Sequence, residues 1–452
     1  MKSLVSLVKV FKKTNSCHFV HFVVILLLLG ACKEEQKDGK KPAALTETSV
    51  KATPIHGGAV ISYSIPDDPD ILYVMAEYVR NGKSFTERSS VYDNYLTIEG
   101  FNTTEPVSAT LYTVRRNSDV KSDPVTVTFT PLEGVVALAR KSTEIMEGFG
   151  GIVATWENIT RTELGVRLQV DSLGTLLEKE MLFSSLLTQR YAFRGFDRVE
   201  TTFIITYEDK WGNISEPLYF TGTPMYETEV PKPWIDRRGT FLYDNVTGNF
   251  NYVWDNSLTG RYLSENNSTG SSFTFDFGRV VKLSRMAMWP ADLRSFPYPA
   301  WNAVYAQIHI LEFEMWGTKA IDYSKTGNQS YWLHPFSAAQ NGLPLPWQHP
   351  FSALTPAEIE AIPGDNFAKD WVYLGHYKVT RLDLLGASDD DIWAQGAAGW
   401  HFDLPLDAAP VSVIRFFPIA TIYAGVLSTP PTNNYWAVGE LSFWGDDTVP
   451  QE

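Results

Sequence analysis

The sequence predicts an all-β protein built from successive sandwiches, and three observations lead to that reading. Apolar residues alternate with others in short runs: Leu72, Val74, Ala76 and Tyr78; Val125, Val127 and Phe129; Val166, Leu168 and Val170; Phe203, Ile205 and Tyr207. Period-two runs bounded by Gly, Pro, Asn and Asp mark half-buried strands. A second observation is an internal repeat. Gly57-Gly58-Ala59-Val60-Ile61-Ser62-Tyr63 returns 93 residues later as Gly150-Gly151-Ile152-Val153-Ala154-Thr155-Trp156. Gly100-Phe101 returns as Gly195-Phe196, and Ser122-Asp123-Pro124 as Ser215-Glu216-Pro217. The third is a change of composition after Pro231-Lys232-Pro233: twelve of the fourteen tryptophans lie between 234 and 452, on a new set of strand-like runs.

The chain opens on a different kind of segment. Lys2, Lys9, Lys12 and Lys13 precede an apolar run from Phe19 to Ala31, broken by His21, and Leu29-Gly30-Ala31 leads directly to Cys32. A positive start, a short apolar stretch and a small-residue site define a secretory signal over 1–31. The alternative, a transmembrane anchor, needs about 20 apolar residues, and this run is shorter. A cysteine placed directly after such a site resembles the lipobox of bacterial lipoproteins, which implies that Cys32 is lipidated and anchors the chain in a membrane. Lys33-Glu34-Glu35 resembles the Lys-acid-acid export tag of Bacteroidota lipoproteins, which implies an outer-membrane protein exposed at the cell surface. The competing reading of 32–42 is a plain solvated linker, since the segment is charged and poor in apolar residues.

Composition narrows the remainder. With Cys17 in the signal and Cys32 lipidated, no thiol is left to form a disulfide, so stability must come from ordinary cores. The length calls for two to four domains. Formal charge is -14, and removing the lysines of the acid-free signal makes the remainder more acidic still. That balance argues against nucleic acid, whose binding needs phosphates neutralised by cations, and against adhesion to anionic lipid.

The two repeats span 43–132 and 133–230. Each is about 90 residues, the size of a fibronectin type III module, which it resembles. Trp156 and Tyr207 fall in phase with strand cores. Asp67-Asp68-Pro69-Asp70 reads either as a calcium loop or as a turn that Asp and Pro favour locally. Both modules read as spacers.

The segment 231–452 carries Ser272-Phe273-Thr274-Phe275-Asp276-Phe277-Gly278, then Leu283-Ser284-Arg285-Met286-Ala287-Met288-Trp289-Pro290, then Phe313-Glu314-Met315-Trp316-Gly317. Asp370-Trp371-Val372-Tyr373-Leu374-Gly375, Val411-Ser412-Val413-Ile414-Arg415-Phe416 and Ala437-Val438-Gly439-Glu440-Leu441-Ser442-Phe443-Trp444-Gly445 follow. This order resembles the discoidin, or coagulation factor 5/8 type C, domain, which implies a jelly-roll β-sandwich of the galactose-binding type. The whole arrangement resembles Bacteroidota lipoproteins encoded beside glycan-import genes. That resemblance implies a glycan as ligand and outer-membrane glycan-import proteins as partners.

Sugar recognition needs flat apolar faces for the CH side of the ring and polar groups for its hydroxyls. Trp289, Trp316, Trp371 and Trp444 fall on framework strands and read as packing, while Trp436 is ambiguous. The surplus aromatics and an arginine lie in loops: Arg294, Tyr298, Trp301, Trp332, Trp347 and Trp393 are the expected carbohydrate-binding residues. Against this, Trp332 and Trp347 sit in a long insertion that has reason to build its own small core. Thr355-Pro356-Ala357-Glu358 in that insertion reads as a capping box, and Ser388 as the N-cap of a helix whose first turn holds Asp389, Asp390 and Asp391. The resemblance also implies a structural calcium on the loop at Asp255, with Glu440 helping. Here the family's Gly is Asn256 and its Trp is Tyr262, and an Asx turn at Asp255 competes with the metal.

No zinc-protease, nucleophile-elbow or phosphate-loop motif occurs, and the histidines are scattered. The sequence therefore points to a non-enzymatic surface lipoprotein that binds carbohydrate. The alternative is an assembly lipoprotein whose head grips a partner outer-membrane protein.

Overall fold

The computed structural model describes residues 40–116, 118–172, 174–265, 271–293, 304–305, 308–332, 355–362, 364–421 and 435–451. The first module contains β1 (Lys51–Ile55), β2 (Gly58–Ser62), β3 (Ile71–Arg80), β4 (Lys83–Ser90), β5 (Tyr95–Ile98), β6 (Val107–Arg115) and β7 (Val125–Phe129). A three-stranded sheet β1-β2-β5 faces a four-stranded sheet β4-β3-β6-β7, all neighbours antiparallel. This is the fibronectin-like sandwich that the sequence predicts. Ile61, Val74, Ala76, Tyr78 and Leu111 fill the space between the sheets. Leu72 departs from the alternation. A register shift between Ile71 and Tyr73 turns Ile71 inward and leaves Leu72 40% exposed, because one extra residue reverses the phase of a strand.

The second module repeats the plan with β8 (Glu144–Gly148), β9 (Gly151–Glu157), β10 (Leu164–Ser172), β11 (Thr175–Ser184), β12 (Thr188–Phe193), β13 (Thr201–Asp209) and β14 (Leu218–Gly222). Its sheets are β12-β9-β8 and β11-β10-β13-β14. The sequence repeat reappears as matched geometry. Gly57 and Gly150 both take left-handed backbone, at φ 67° and 64°. Their carbonyls accept from Phe101 N and Phe196 N, each at 2.9 Å. Trp156 and Tyr207 meet edge-on at 5.9 Å in the core. A helix, Val135–Ser142, was not anticipated; it buries Val135, Val136 and Ala139 against that core. The Asp67–Asp70 loop closes as a turn: Asp68 accepts from Asp70 N and Ala43 N, and Asp70 pairs with Arg115.

The third module adds β15 (Thr228–Glu229), β16 (Ile235–Asp236), β17 (Tyr262–Leu263), β18 (Phe273–Trp289) and β19 (Ile310–Thr318). After these come β20 (Val372–Lys378), β21 (Trp400–Asp403), β22 (Val411–Thr421), β23 (Ala437–Val438) and β24 (Glu440–Asp446). β18 serves two sheets. Its first half pairs with β16 and β22, its second with β21 and β24, and a register shift between Asp276 and Val281 marks the crossing. Phe273, Phe275, Met286, Met288, Phe313 and Phe443 belong to the core enclosed between them, giving a third β-sandwich.

A second cluster lies on the other face of β19 and β22, where Phe241, Trp316, Tyr331, Trp332, Phe367 and Trp371 pack together. The capping box at Thr355 and the N-cap at Ser388 form as read, and Ser388 also completes a capping box with Asp391. Among the described residues no helix is long and apolar enough to cross a membrane.

Candidate functional site

Strand alternation lays out the candidate site. β21 and β24 flank the second half of β18, setting Trp289 opposite Glu440, Ala287 between His401 and Ser442, and Arg285 between Asp403 and Trp444. Successive side chains point to opposite faces of a sheet. Met286, Met288, Leu441 and Phe443 point into the core, so the residues between them share the outer face.

The Pro231-Lys232-Pro233 segment between the second and third modules brings Lys232 across this face. Its ammonium donates to Glu440 Oε1, to Ser442 Oγ at 2.9 Å and to Asn256 Oδ1 at 3.3 Å. The second oxygen of Glu440 accepts from Asn256 N at 3.1 Å. Both partners are nearly enclosed, with side chains 8% and 4% exposed. Burial pushes the Glu440 carboxyl up to about 7, against the downward pull of Lys232.

Beside this pair opens a solvent-facing cleft of about 340 Å³, lined by Trp289, Lys232, Glu440, Ser442 and the 256–259 turn. Trp289 is half-buried, and its Nε1 donates to Ala397 O at 3.2 Å. The ring is seated by the end of the helix Asp389–Ala398. Gly399 takes φ 82° there, and a Cβ on it would come within 2.6 Å of Trp289 Cε2. The cleft thus offers one indole, an ammonium, a carboxylate, an amide and three hydroxyls.

The donor set does not fit a calcium ion. Calcium takes six to eight oxygens, whereas here a buried ammonium stands among them with an acceptor for each of its three hydrogens. Asp255 accepts from Ser257 N at 2.9 Å, the Asx turn that competed with the metal. Asn256 has φ 58°, left-handed backbone that glycine adopts freely and asparagine tolerates.

The other expected site residues fall in different places. Trp332 is 1% exposed and donates its Nε1 to Lys325 O at 2.7 Å. It belongs to the cluster that the insertion forms with Phe241, Val413 and Phe417 and presents no open stacking face, which corrects the expectation of a sugar platform there. Trp393 is half-buried on the helix Asp389–Ala398 and packs against the main core. Cys32, Arg294, Tyr298, Trp301 and Trp347 lie outside the described residues. Trp289 and Trp444, read from sequence as framework, are instead half-buried on the outer face. Their phase held the signal: each alternates with core residues rather than matching them. Nothing in the sequence of its segment distinguished Lys232.

Fold and site together define an all-β, three-module protein with an aromatic-and-charge-lined cleft on its last sandwich. Residues 42–131 match the domain of unknown function DUF4959, residues 132–233 the domain of unknown function DUF5126, and residues 250–445 the domain of unknown function DUF5000. Among solved structures, SusE-like protein BT2857 is similar over 69% of this chain and 98% of its own, at 18% identity and a TM-score of 0.34. A two-domain fibronectin type III segment of chicken tenascin is similar over 40% of this chain and 99% of its own, at 14% identity and a TM-score of 0.21. No curated protein matches the chain.

Proposed function

We propose that this chain is a cell-surface lipoprotein that captures carbohydrate without cleaving it, and that the cleft beside Trp289 is where the sugar sits. One observation carries the reading: a half-buried indole walls an open cleft whose other groups, Leu258 apart, are polar and already positioned. An indole face receives the CH side of a pyranose by burial and dispersion. Asn256 and the hydroxyls of Ser257, Thr259 and Ser442 are matched to sugar hydroxyls as donors and acceptors, and Lys232, with its three hydrogens placed on Glu440, Ser442 and Asn256, holds these groups in position. The lipobox at Cys32 and the tag after it supply the anchor and the compartment in this reading, and the third sandwich is taken as discoidin-like. Both oxygens of Glu440 are committed to Lys232 and Asn256, which favours holding a ligand over transferring a proton.

Affinity at one such site is expected in the range of about micromolar to millimolar, raised by many copies on one cell. The test is affinity electrophoresis of the mature chain carrying Cys32→Ser, on starch, xylan, galactomannan, pectin and chondroitin sulfate. Retardation by one of these, abolished by Trp289→Ala, is the expected result. No retardation on any of them, with an outer-membrane protein co-purifying, would replace this reading with the assembly role.

A further inference from the structure

The outer face of the sheet continues past Ser442, where the lining of the cleft stops. One row further along the same face, Trp444 stands opposite Arg285, and Arg285 faces Asp403 on its other side. The rings adjoin along this face: Trp289 meets His401 edge-on at 6.3 Å between centroids, and His401 meets Trp444 tilted by 35° at 6.1 Å. At the centre, between His401 and Ser442, the strand places Ala287, which is fully buried, so the exposed His401 presents the surface there. Arg285 lies over the Trp444 ring at 4.0 Å and is itself held by Glu227, so the far indole is fixed in place. Beyond it, Asp403 receives Arg190 at 3.3 Å and Arg194 at 2.8 Å from the second module.

We propose that this row of rings is an extended platform for an internal segment of a linear polysaccharide, running from the Trp289 cleft past His401 to Trp444 at the module boundary. The proposal rests on the carbohydrate reading and adds its substrate class: a polymer gripped along its length rather than a chain end or a single sugar. Three features favour that occupant. From Glu440 to Trp444 the face extends four residues, roughly 13 Å of strand, which is longer than one sugar ring. Each end of it sets an indole beside paired charges, with His401 between the two ends, an arrangement that suits a chain with repeating CH faces and hydroxyls. The charged groups are already balanced against each other, Lys232 by Glu440 and Arg190 by Asp403, so the platform is matched to hydroxyls more than to an anion.

The experiment titrates the Cys32→Ser chain with the retarding polysaccharide and with its size-fractionated oligosaccharides from two to eight units, by calorimetry. Wild-type affinity should rise about tenfold from disaccharide to hexasaccharide. Trp444→Ala should lose about tenfold on the hexasaccharide and the polymer while binding disaccharide as wild type does; His401→Ala, at an exposed position, should show the same split more weakly. Trp289→Ala should weaken every length. Near-UV circular dichroism confirms that each variant is folded. Length-independent affinity, or equal binding of all lengths by wild type and both platform variants, overturns the platform while leaving the cleft reading intact. Unchanged binding by Trp289→Ala overturns the cleft and the platform with it.

Discussion

Glu440 is pulled two ways, upward by its removal from water and downward by the Lys232 ammonium, with burial the larger influence. Its carboxyl stands near 7 in the fold against an ordinary 4.5. A folded state that holds a proton more tightly than the unfolded chain is favoured at low pH. This contribution to stability is therefore full below about 4.5 and is lost as the pH rises through about 7. Glu440→Gln removes it, so the difference in melting temperature, wild type minus variant, should shrink between these two pH values in a thermal-melt series. Arg415 is the other residue whose environment dictates its behaviour. It is fully buried beneath Trp332, Phe367 and Phe417, with Asp244 Oδ1 at 3.7 Å. Burial pushes Arg415 down and Asp244 up. Arg415→Ala leaves an uncompensated carboxyl in an aromatic cluster and is expected to cost about 3–5 kcal/mol, read from the urea midpoint.

At the scale of elements, the site depends on how a helix ends. The helix Asp389–Ala398 begins with the Ser388–Asp391 capping box and stops at Gly399 in left-handed backbone. Its last carbonyls receive Trp289 Nε1 and contact His401 Nε2, at 3.2 and 3.1 Å. Gly399→Ala adds strain at φ 82° and a Cβ pressed into the indole. The expected outcome is a loss of about 1 kcal/mol or more, a changed Trp signal in near-UV circular dichroism, and weakened sugar binding, all from a position that is itself buried. Leu72 gives the opposite lesson. There the residues read as a strand and formed one, but a register shift turned Ile71 rather than Leu72 to the core.

Across the whole molecule, the modules are held by specific contacts. Asn213 of the second donates to Gly100 O of the first at 2.9 Å. Arg194 of the second module donates to Phe149 O in its own module and to Asp403 of the third. Exposed ion pairs contribute little, but Arg194 is only 19% exposed and also pairs with Glu227, so its loss removes several bonds together. Arg194→Ala is expected to loosen the boundary between second and third modules. Small-angle scattering of the Cys32→Ser chain should show a larger radius of gyration and a more flexible profile; an unchanged profile would mean that other contacts suffice.

Much of this was legible in the residues themselves. Period-two alternation, the diglycine repeat, the capping box at Thr355 and the N-cap at Ser388 are local signals, decided within a few residues, and the strands, paired sandwiches and helix starts follow them. What the calcium expectation on Glu440 lacked was non-local: Lys232 donates to this carboxylate from 208 residues away along the chain. Trp332 met the same kind of outcome, enclosed by Phe241 and Phe367 from distant segments. Even for Trp289 and Trp444, whose phase was readable, only the tertiary structure decided what their face meets. Sequence by itself determined where strands run and, where no register shift intervenes, which side chains share a face, since backbone geometry imposes that directly. Which face becomes core, which becomes surface, and which cation meets a buried acid were decided by the packing of sheets, since burial and charge pairing depend on segments that only the fold brings together.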